Sequence, residues 1–530
     1  MAIEIRNSNI YKRITEKDFI YKAIYSLESY VFEKDLLDEE DYTLMLKLRD
    51  PFNHKIVDES IENVRALIDD VLIKGEFFEA QVYFRPKKID KDTDQLESRP
   101  IHSASLNTLI ASVVLLNTLL IEIGKDDKTI ELTELARMLP SNFYGNIPSD
   151  RPEHLFKPWH YQFKEYTDVI TSSYYEYTKT KEYRFEVTLD LKNYFPSINP
   201  AIIYDEIMSK YSVKYDNADD VQCTKTILSK LLVFKISNLR SDYFKEMYYG
   251  SSNLEFLNGE VWTKGIPQGL PHAYFFGNIC MVKVADIFQK VIAGEDGKAF
   301  YYVDDSVIYT NNLNNEGELS EKINDINKHL AELSYKYISK LAEYKKEVEG
   351  TSLQAFVEIL DRFDYLIKVH NAESEKSTVL EIQDPKYGQA NLNAYSKLAS
   401  MASYDLSKIF SDTEEINLSK KLEAIYQAVE KEIERIREID PEEDTSNYIK
   451  VLLRFKKFFK YRQRRLDFSR SNDINEGNIN ELLSNFKVEN GSTNKEKFKC
   501  FFDAYDEDIL LYEFRFFFAN SPIFWGKADK

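Results

Sequence analysis

The stretch AFYYVDDSVIYT, Ala299–Thr310, sets a bare Asp304-Asp305 pair between two apolar, aromatic-rich runs. The flanking runs have the residue types of buried β-strand. Adjacent carboxylates repel, and both need solvation or a cation. A hairpin with Asp304-Asp305 as its two-residue loop fits, because Asp tolerates the unusual backbone angles of such a turn better than most residues. On this stretch alone two readings stand: an ordinary exposed turn, or one corner of a carboxylate site.

A third carboxylate bears on that choice. In YRFEVTLDLKNYF, from Tyr183, residues Phe185, Val187 and Leu189 alternate with Glu186, Thr188 and Asp190. Period two predicts a strand with one buried face, with Asp190 at its end on the polar face. Tyr194-Phe195 follows. If this strand lies beside the hairpin, Asp190 and Asp304 converge at one sheet end, with Asp305 close by. Such a cluster is costly unless cations neutralise it. Mg²⁺ takes hard oxygen ligands, commonly one or two carboxylates plus substrate phosphates. Two such ions about 3.5–4 Å apart would activate a 3′-hydroxyl and stabilise a pyrophosphate leaving group.

Between the two acidic elements lies KGIPQGLPHAYFFGNICMVKVADIFQKVIAG. It reads as a Gly/Pro-punctuated loop, then a helix with Phe276, Cys280, Val284, Ile287 and Val291 at helical spacing and Gly294 at its end. Upstream, Glu59–Gly75 predicts an amphipathic helix closed by Gly75. EAQVYFRPKK predicts a strand and then a basic turn. Leu109–Ile123 predicts a buried helix, interrupted by Ser112, Asn117 and Thr118 and shorter than the roughly 20 residues that span a bilayer. Asn199 is placed to cap a helix with Pro200 at its first position. Lys210–Gly250 reads as a mixed, helical segment, and Phe363–Ile382 as strand, turn, strand. Beyond Asp384 the pattern becomes amphipathic helix.

With 530 residues, the chain suffices for about two to four domains. At 14% aromatic and 30% charged residues, it has a folded, soluble composition. The net charge of −19 argues against indiscriminate nucleic-acid binding, so any such interaction must rest on specific sites. Cys223, Cys280 and Cys500 form no CxxC pair, which suggests neither a zinc ribbon nor a disulfide framework. The N-terminus has no apolar signal core. The expected location is a reducing cytoplasm, with no membrane association.

FEVTLDLKNYFPSI, GIPQGLPHAYFFGNI and YYVDDS, in this order, resemble the palm motifs of reverse transcriptases. The resemblance covers roughly 75–385. It implies a fold and a division of the chain. The class is α+β: a right-hand polymerase fingers-palm core with an antiparallel palm sheet, followed by an α-helical C-terminal domain. The expected segments are an N-terminal helical 1–74, fingers 75–182, a palm with helical insertions 183–384, and a C-terminal domain 385–530 that replaces a typical thumb. The resemblance also assigns roles. Asp190 and Asp304 would be the main ligands of two Mg²⁺, with Mn²⁺ as an alternative. The carbonyl of Leu191 would complete one coordination sphere, and Asp305 would support. Phe195 would stand against the sugar 2′ position and favour deoxynucleotides. Gln268 would contact the incoming nucleotide and template, with Gly265 and Gly269 letting the backbone approach closely. PKKIDKDTDQLESRPIHSASLNTL resembles the fingers segment, so Lys87, Lys88 and Arg99 would meet the triphosphate. HNAESEKS would place Lys376 near the leaving pyrophosphate. Each of these four has a plainer reading as a solvated surface cation, and Phe195 as a core ring.

RNA-dependent RNA polymerases are the competing palm enzymes. They usually carry a polar residue near the gate and Gly before the Asp pair, where Phe195 and Val303 stand here. NFYGNIPSDRPEHLFKPWHYQFKEY resembles the Y-G-N segment of abortive-infection reverse transcriptases, bacterial enzymes of anti-phage defence. That resemblance implies dNTPs as substrates, a DNA product, and an RNA template or a dedicated noncoding RNA. It also implies homo-oligomers, trimeric or hexameric. Template-independent or protein-primed synthesis by the same site is one alternative, with Tyr505 and Tyr512 near the C-terminus as possible or merely buried tyrosines. A catalytically silent, RNA-binding palm scaffold is another. LLRFKKFFKYRQRRL, Leu452–Leu466, reads equally as a nucleic-acid channel lining or an amphipathic packing helix.

Overall fold

A computed structural model describes residues 2–382 apart from 35–36, 49–51, 90–95, 124–129, 152–153, 212–216, 240–241, 250–259, 349–352 and 363–376. The expected C-terminal domain, Leu452–Leu466, Tyr505, Tyr512, Cys500 and Lys376 lie outside the described residues. Met1–Val82 and Ile101–Tyr395 belong to one compact unit, and Tyr83–Pro100 to a second that also takes in 396–530.

Helices α1 (Ala2–Asn7), α2 (Asn9–Ile14), α3 (Lys17–Lys34), α4 (Glu39–Leu48) and α5 (His54–Leu72) open the chain. Strands β1 (Glu79–Ile89) and β2 (Leu96–Ser103) precede α6 (Leu106–Leu120), β3 (Ile121–Ile123), β4 (Ile130–Leu132), α7 (Glu134–Arg137) and α8 (Trp159–Thr180). Then come β5 (Phe185–Leu189), α9 (Tyr194–Ser197), α10 (Pro200–Tyr211), α11 (Ala218–Leu232), β6 (Lys235–Ile236), α12 (Asp242–Tyr249), β7 (Val261–Trp262) and α13 (Pro271–Phe288). The described part ends with β8 (Lys298–Tyr302), β9 (Asp305–Thr310), α14 (Leu319–Val348), α15 (Gln354–Arg362) and β10 (Thr378–Glu381). Helices and largely antiparallel sheets together make the class α+β. No helix among the described residues is long and apolar enough to cross a membrane.

Local signals account for the elements around the first unit's core. α6 starts where the Ser105 hydroxyl accepts from the Thr108 amide at 3.3 Å. Most of its residues are buried, with α3, α5 and α13 packed around it. That accounts for its all-round apolar sequence. It stops at Leu120 because Ile121–Ile123 is extended and pairs with β4. α10 begins as its capping pair predicts, with the Asn199 side-chain oxygen accepting from the Ala201 amide at 2.9 Å. α13 ends through a π-helical turn, Gln289–Ala293, at Gly294, whose φ is +73°. β1 continues through Ile89, so the segment read as a basic turn after Phe84 is strand. Cys223 and Cys280 are buried free thiols, and burial pushes both up to about 12.

Two four-stranded sheets form, in the orders β2-β1-β6-β7 and β10-β5-β9-β8. Every pair in the second is antiparallel. Its register matches Leu189 with Ser306 and Tyr302 with Asp305. The expected polar face of β5 is not solvated. Glu186 is 1% exposed, and the Tyr309 hydroxyl donates to its Oε2 at 2.9 Å. Tyr309 also contacts the Ile170 carbonyl of α8 at 3.1 Å, so α8 covers the face that period two assigns to water. A carboxylate is tolerated there because it has a hydrogen-bond partner.

Candidate active site

The two-residue turn of the β8–β9 hairpin is Val303-Asp304, not Asp304-Asp305. Asp305 already pairs with Tyr302 as the first residue of β9. The left-handed angle falls on Val303, φ +58°, and not on an Asp. A β-branched residue in that region is a true outlier, and such strain persists only where the surroundings impose it.

The surroundings come from the segment 142–146. Tyr144 N donates to Tyr301 O and Tyr301 N to Asn142 O, both at 2.9 Å, so this segment pairs along the free edge of β8. A Cβ at Gly145 would stand 2.6 Å from Val303 Cγ2 and 3.0 Å from Val303 N. Only a glycine fits there. Asn278 of α13 locks the segment, its Nδ2 donating to Gly145 O at 2.7 Å and to Asn146 O at 3.2 Å. Tyr302 is flanked from α8 by Phe163, edge-on at 5.0 Å, and by Tyr166 at 5.5 Å.

Asp190 directly follows β5. Extending the β5–β9 register by one residue sets it level with Asp305, with Asp304 one step further into the turn. All three are half-buried. The Tyr166 phenol reports the hairpin charges: burial above all, then Asp305, Glu186 and Asp304, push it well above the ordinary tyrosine range. Asp304 also contributes to the upward shift of Tyr194, behind burial and Cys280. Leu191 has a buried side chain, so the group it offers at this end of the sheet is its carbonyl. The donors are all hard oxygens, the chemistry Mg²⁺ prefers. Among the described residues, no three His, Cys, Asp or Glu side chains are gathered into a ligating group. The register brings the three backbones together; their carboxylates are not drawn into one cluster.

The loop Lys264–Leu270 is pinned to the segment that follows β5. Ile266 N donates to Phe195 O at 2.9 Å. A Cβ at Gly265, φ +62°, would collide with that carbonyl, and one at Gly269, φ +115°, with His102 O. Both glycines are therefore required. The Phe195 ring is 5% exposed. It is edge-on to Tyr274 at 5.7 Å, and a Cβ at Gly277 would come within 3.1 Å of it. Phe195 is a packed core ring whose backbone carries the loop.

His102 is the site residue that sequence reasoning missed. Gln268 O accepts from His102 N at 2.7 Å and lies 3.1 Å from His102 Nδ1. His102 Nε2 lies 2.8 Å from the Tyr248 hydroxyl, which itself accepts from Lys264 N at 2.8 Å. One tautomer satisfies every contact: Nδ1–H donates to Gln268 O and Nε2 accepts from Tyr248. Burial holds His102 down to about 4, so it is neutral and fixed in that role. His102 and Tyr248 thus clamp both ends of the loop that presents Gln268, itself half-buried. The signal in the sequence was faint: a lone His on a strand, with partners far away along the chain.

The remaining expected residues belong to the second unit or lie outside the described residues. Lys87 and Lys88 are on β1 and Arg99 is an exposed residue of β2, all three in the second unit. The side chains of Lys87 and Lys88, and all of Lys376, lie outside the described residues. The site geometry given above is that of the first unit alone. No protein-family model and no curated protein matches the chain.

Proposed function

We propose that the chain is a nucleotidyl-transferring DNA polymerase of the reverse-transcriptase type, with its centre at the β8–β9 turn. The observation that carries this reading is the register that sets Asp190 level with Asp305, beside a turn strained at Val303 and braced by Gly145. Strain of this kind is retained where a side chain must be aimed. Asp190, Asp304 and Asp305, with the Leu191 carbonyl, would hold Mg²⁺, which supplies an activated 3′-hydroxyl and charge stabilisation at the leaving pyrophosphate. The chain's own residues set the geometry. Phe195, packed in the core between Tyr274 and Gly277, would serve through its carbonyl, which holds Ile266 of the loop that carries Gln268, and not as a ring against the sugar. Gln268, on a loop clamped by His102, meets the nucleotide in a fixed pose. Lys87, Lys88, Arg99 and Lys376 would add cations for the phosphates. By its Y-G-N resemblance the enzyme acts in bacterial anti-phage defence.

The test is primer extension by the purified chain with dNTPs and Mg²⁺, with and without RNA, beside Asp304→Ala. Incorporation that disappears in a folded variant supports the reading; undiminished incorporation refutes it. Sequencing of co-purified nucleic acid separates a dedicated RNA template from DNA attached to the protein itself. One observation favours a second reading, a silent palm scaffold that binds RNA: the carboxylates are not gathered into a ligating group. If Asp304→Ala retains full phage protection, that reading wins.

A further inference from the structure

α8 covers the palm-like sheet, and one of its residues reaches the carboxylate end. Side chains paired in one row of an antiparallel ladder share a face, as do residues two apart along a strand. Asp305 and Tyr302 form such a row, and Tyr309, four residues on from Asp305, shares its face. α8 touches that face at both places. Phe163 and Tyr166 pack on Tyr302, and the Ile170 carbonyl accepts from the Tyr309 hydroxyl at 3.1 Å. Asp305 therefore projects on the side of the sheet that α8 covers, next to Tyr166.

Tyr166 is wedged between the hairpin and the segment that braces it. Its ring centroid lies 5.5 Å from that of Tyr302, 5.7 Å from Tyr144 of segment 142–146 and 6.3 Å from Phe163. The residue is 4% exposed. Packing alone would be served by phenylalanine, as it is at Phe163 against the same Tyr302 ring. The hydroxyl needs its own account. Burial keeps the phenol protonated at neutral pH, so it is a hydrogen-bond donor there. Of the charges around it, Asp305 acts most strongly, ahead of Glu186 and Asp304. Glu186 has its own donor in Tyr309, at 2.9 Å. The three carboxylates are not gathered into a ligating group, so closing them on an ion requires Asp305 to be turned and held. Groups that hydrogen-bond a metal ligand do this, and their loss commonly costs about 10–100-fold in metal affinity or activity.

We infer that Tyr166 is a positioning residue of the carboxylate centre, its phenol O–H donating to Asp305 and holding that carboxylate toward the bound ion. The inference rests on the polymerase reading of that centre. Mn²⁺ binding to the full chain is followed by electron paramagnetic resonance in the wild type, Tyr166→Phe, Tyr166→Leu and Asp304→Asn. Primer extension with dNTPs and a urea melt accompany each. Tyr166→Phe keeps the ring on Tyr302 and removes only the hydroxyl. It should weaken the Mn²⁺ site that Asp304→Asn abolishes by about 10–100-fold. It should also raise the Mg²⁺ concentration needed for incorporation, with an unchanged urea midpoint. Tyr166→Leu should lower that midpoint as well. Mn²⁺ affinity and Mg²⁺ dependence unaltered in Tyr166→Phe, with both lost in Asp304→Asn, would overturn this inference and leave the polymerase reading standing. Mn²⁺ binding unaltered in Asp304→Asn would overturn both. A urea midpoint lowered as far in Tyr166→Phe as in Tyr166→Leu would make the hydroxyl structural and overturn the inference alone.

Discussion

The strained turn and the glycine that braces it should be energetically coupled, and a double-mutant cycle measures the coupling. Gly145 does not have a positive φ, so alanine is allowed there by the backbone and its cost is steric. The added Cβ would lie 2.6 Å from Val303 Cγ2, the end of a short branched side chain, and 3.0 Å from Val303 N, a backbone atom. Overpacking of this kind costs about 1–3 kcal/mol. Val303→Gly releases about 1–2 kcal/mol of left-handed strain and loses about 0.5–1 kcal/mol to glycine's extra unfolded-state freedom. It should sit within about 1 kcal/mol of neutral. In that background the Cγ2 clash no longer exists and only the backbone contact remains. Gly145→Ala should then cost less than half as much, a coupling of about 1–2 kcal/mol. Urea denaturation of the four proteins gives the cycle. A coupling below about 0.5 kcal/mol would mean that Gly145 does not hold Val303, and the account of the turn would fail.

Three further outcomes follow from the same contacts. Asp304→Asn should lower nucleotide incorporation by about 10²–10³-fold or more, the usual loss for a group that stabilises transition-state charge, with unchanged circular dichroism. Burial holds His102 near 4 and His272 near 3, below the usual 6.5, so the folded state binds fewer protons than the unfolded one beneath that value. Their contribution is fully present above about 6.5 and is lost as pH falls toward 4 and then 3, by about 1.4 kcal/mol per pH unit for each histidine. His272→Leu should remove one histidine's share of that acid slope between about pH 6 and 4; an unchanged slope in pH-dependent urea melts would show that His272 is not buried neutral. Tyr248→Phe leaves Lys264 N and His102 Nε2 without their partner and should cost about 1–3 kcal/mol per orphaned group, read by the same melts.

Local signals in the sequence were enough for β5, the β8–β9 hairpin, the Asn199 cap and the Gly294 stop. Each depends on neighbours a few residues away: alternation, a capping oxygen, a glycine after a helix. The turn itself was misplaced by one residue because its geometry is not local. Asp is the better left-handed residue by propensity, yet Val303 takes that angle. The reason is the 142–146 segment, which pairs with β8 and leaves Gly145 as the surface the valine packs on. Glu186 is a similar case. Period two sent it to solvent, and Tyr309 with α8 took it into the interior. His102 was invisible for the same reason, since its meaning lies in Gln268 and Tyr248.

The misplacement of the turn also bears on what the site does. Had Asp304 and Asp305 formed the loop, both carboxylates would ride on its two most mobile positions. With Val303-Asp304 as the turn, Asp305 is held in the β-ladder opposite Tyr302 and only Asp304 sits in the loop. One acid is then fixed by the sheet and level with Asp190, and the other is fixed by strain. Segment 142–146 and Asn278 hold the hairpin from one side, and Phe163 and Tyr166 pack on Tyr302. Glycine at 303 would remove the strain and also the side chain that Gly145 grips, freeing the acid beside it. A chain using this hairpin only as a surface turn would gain by that change. Valine at a position that favours glycine makes sense where Asp304 must be aimed, which is what the proposed nucleotidyl transfer would require of it.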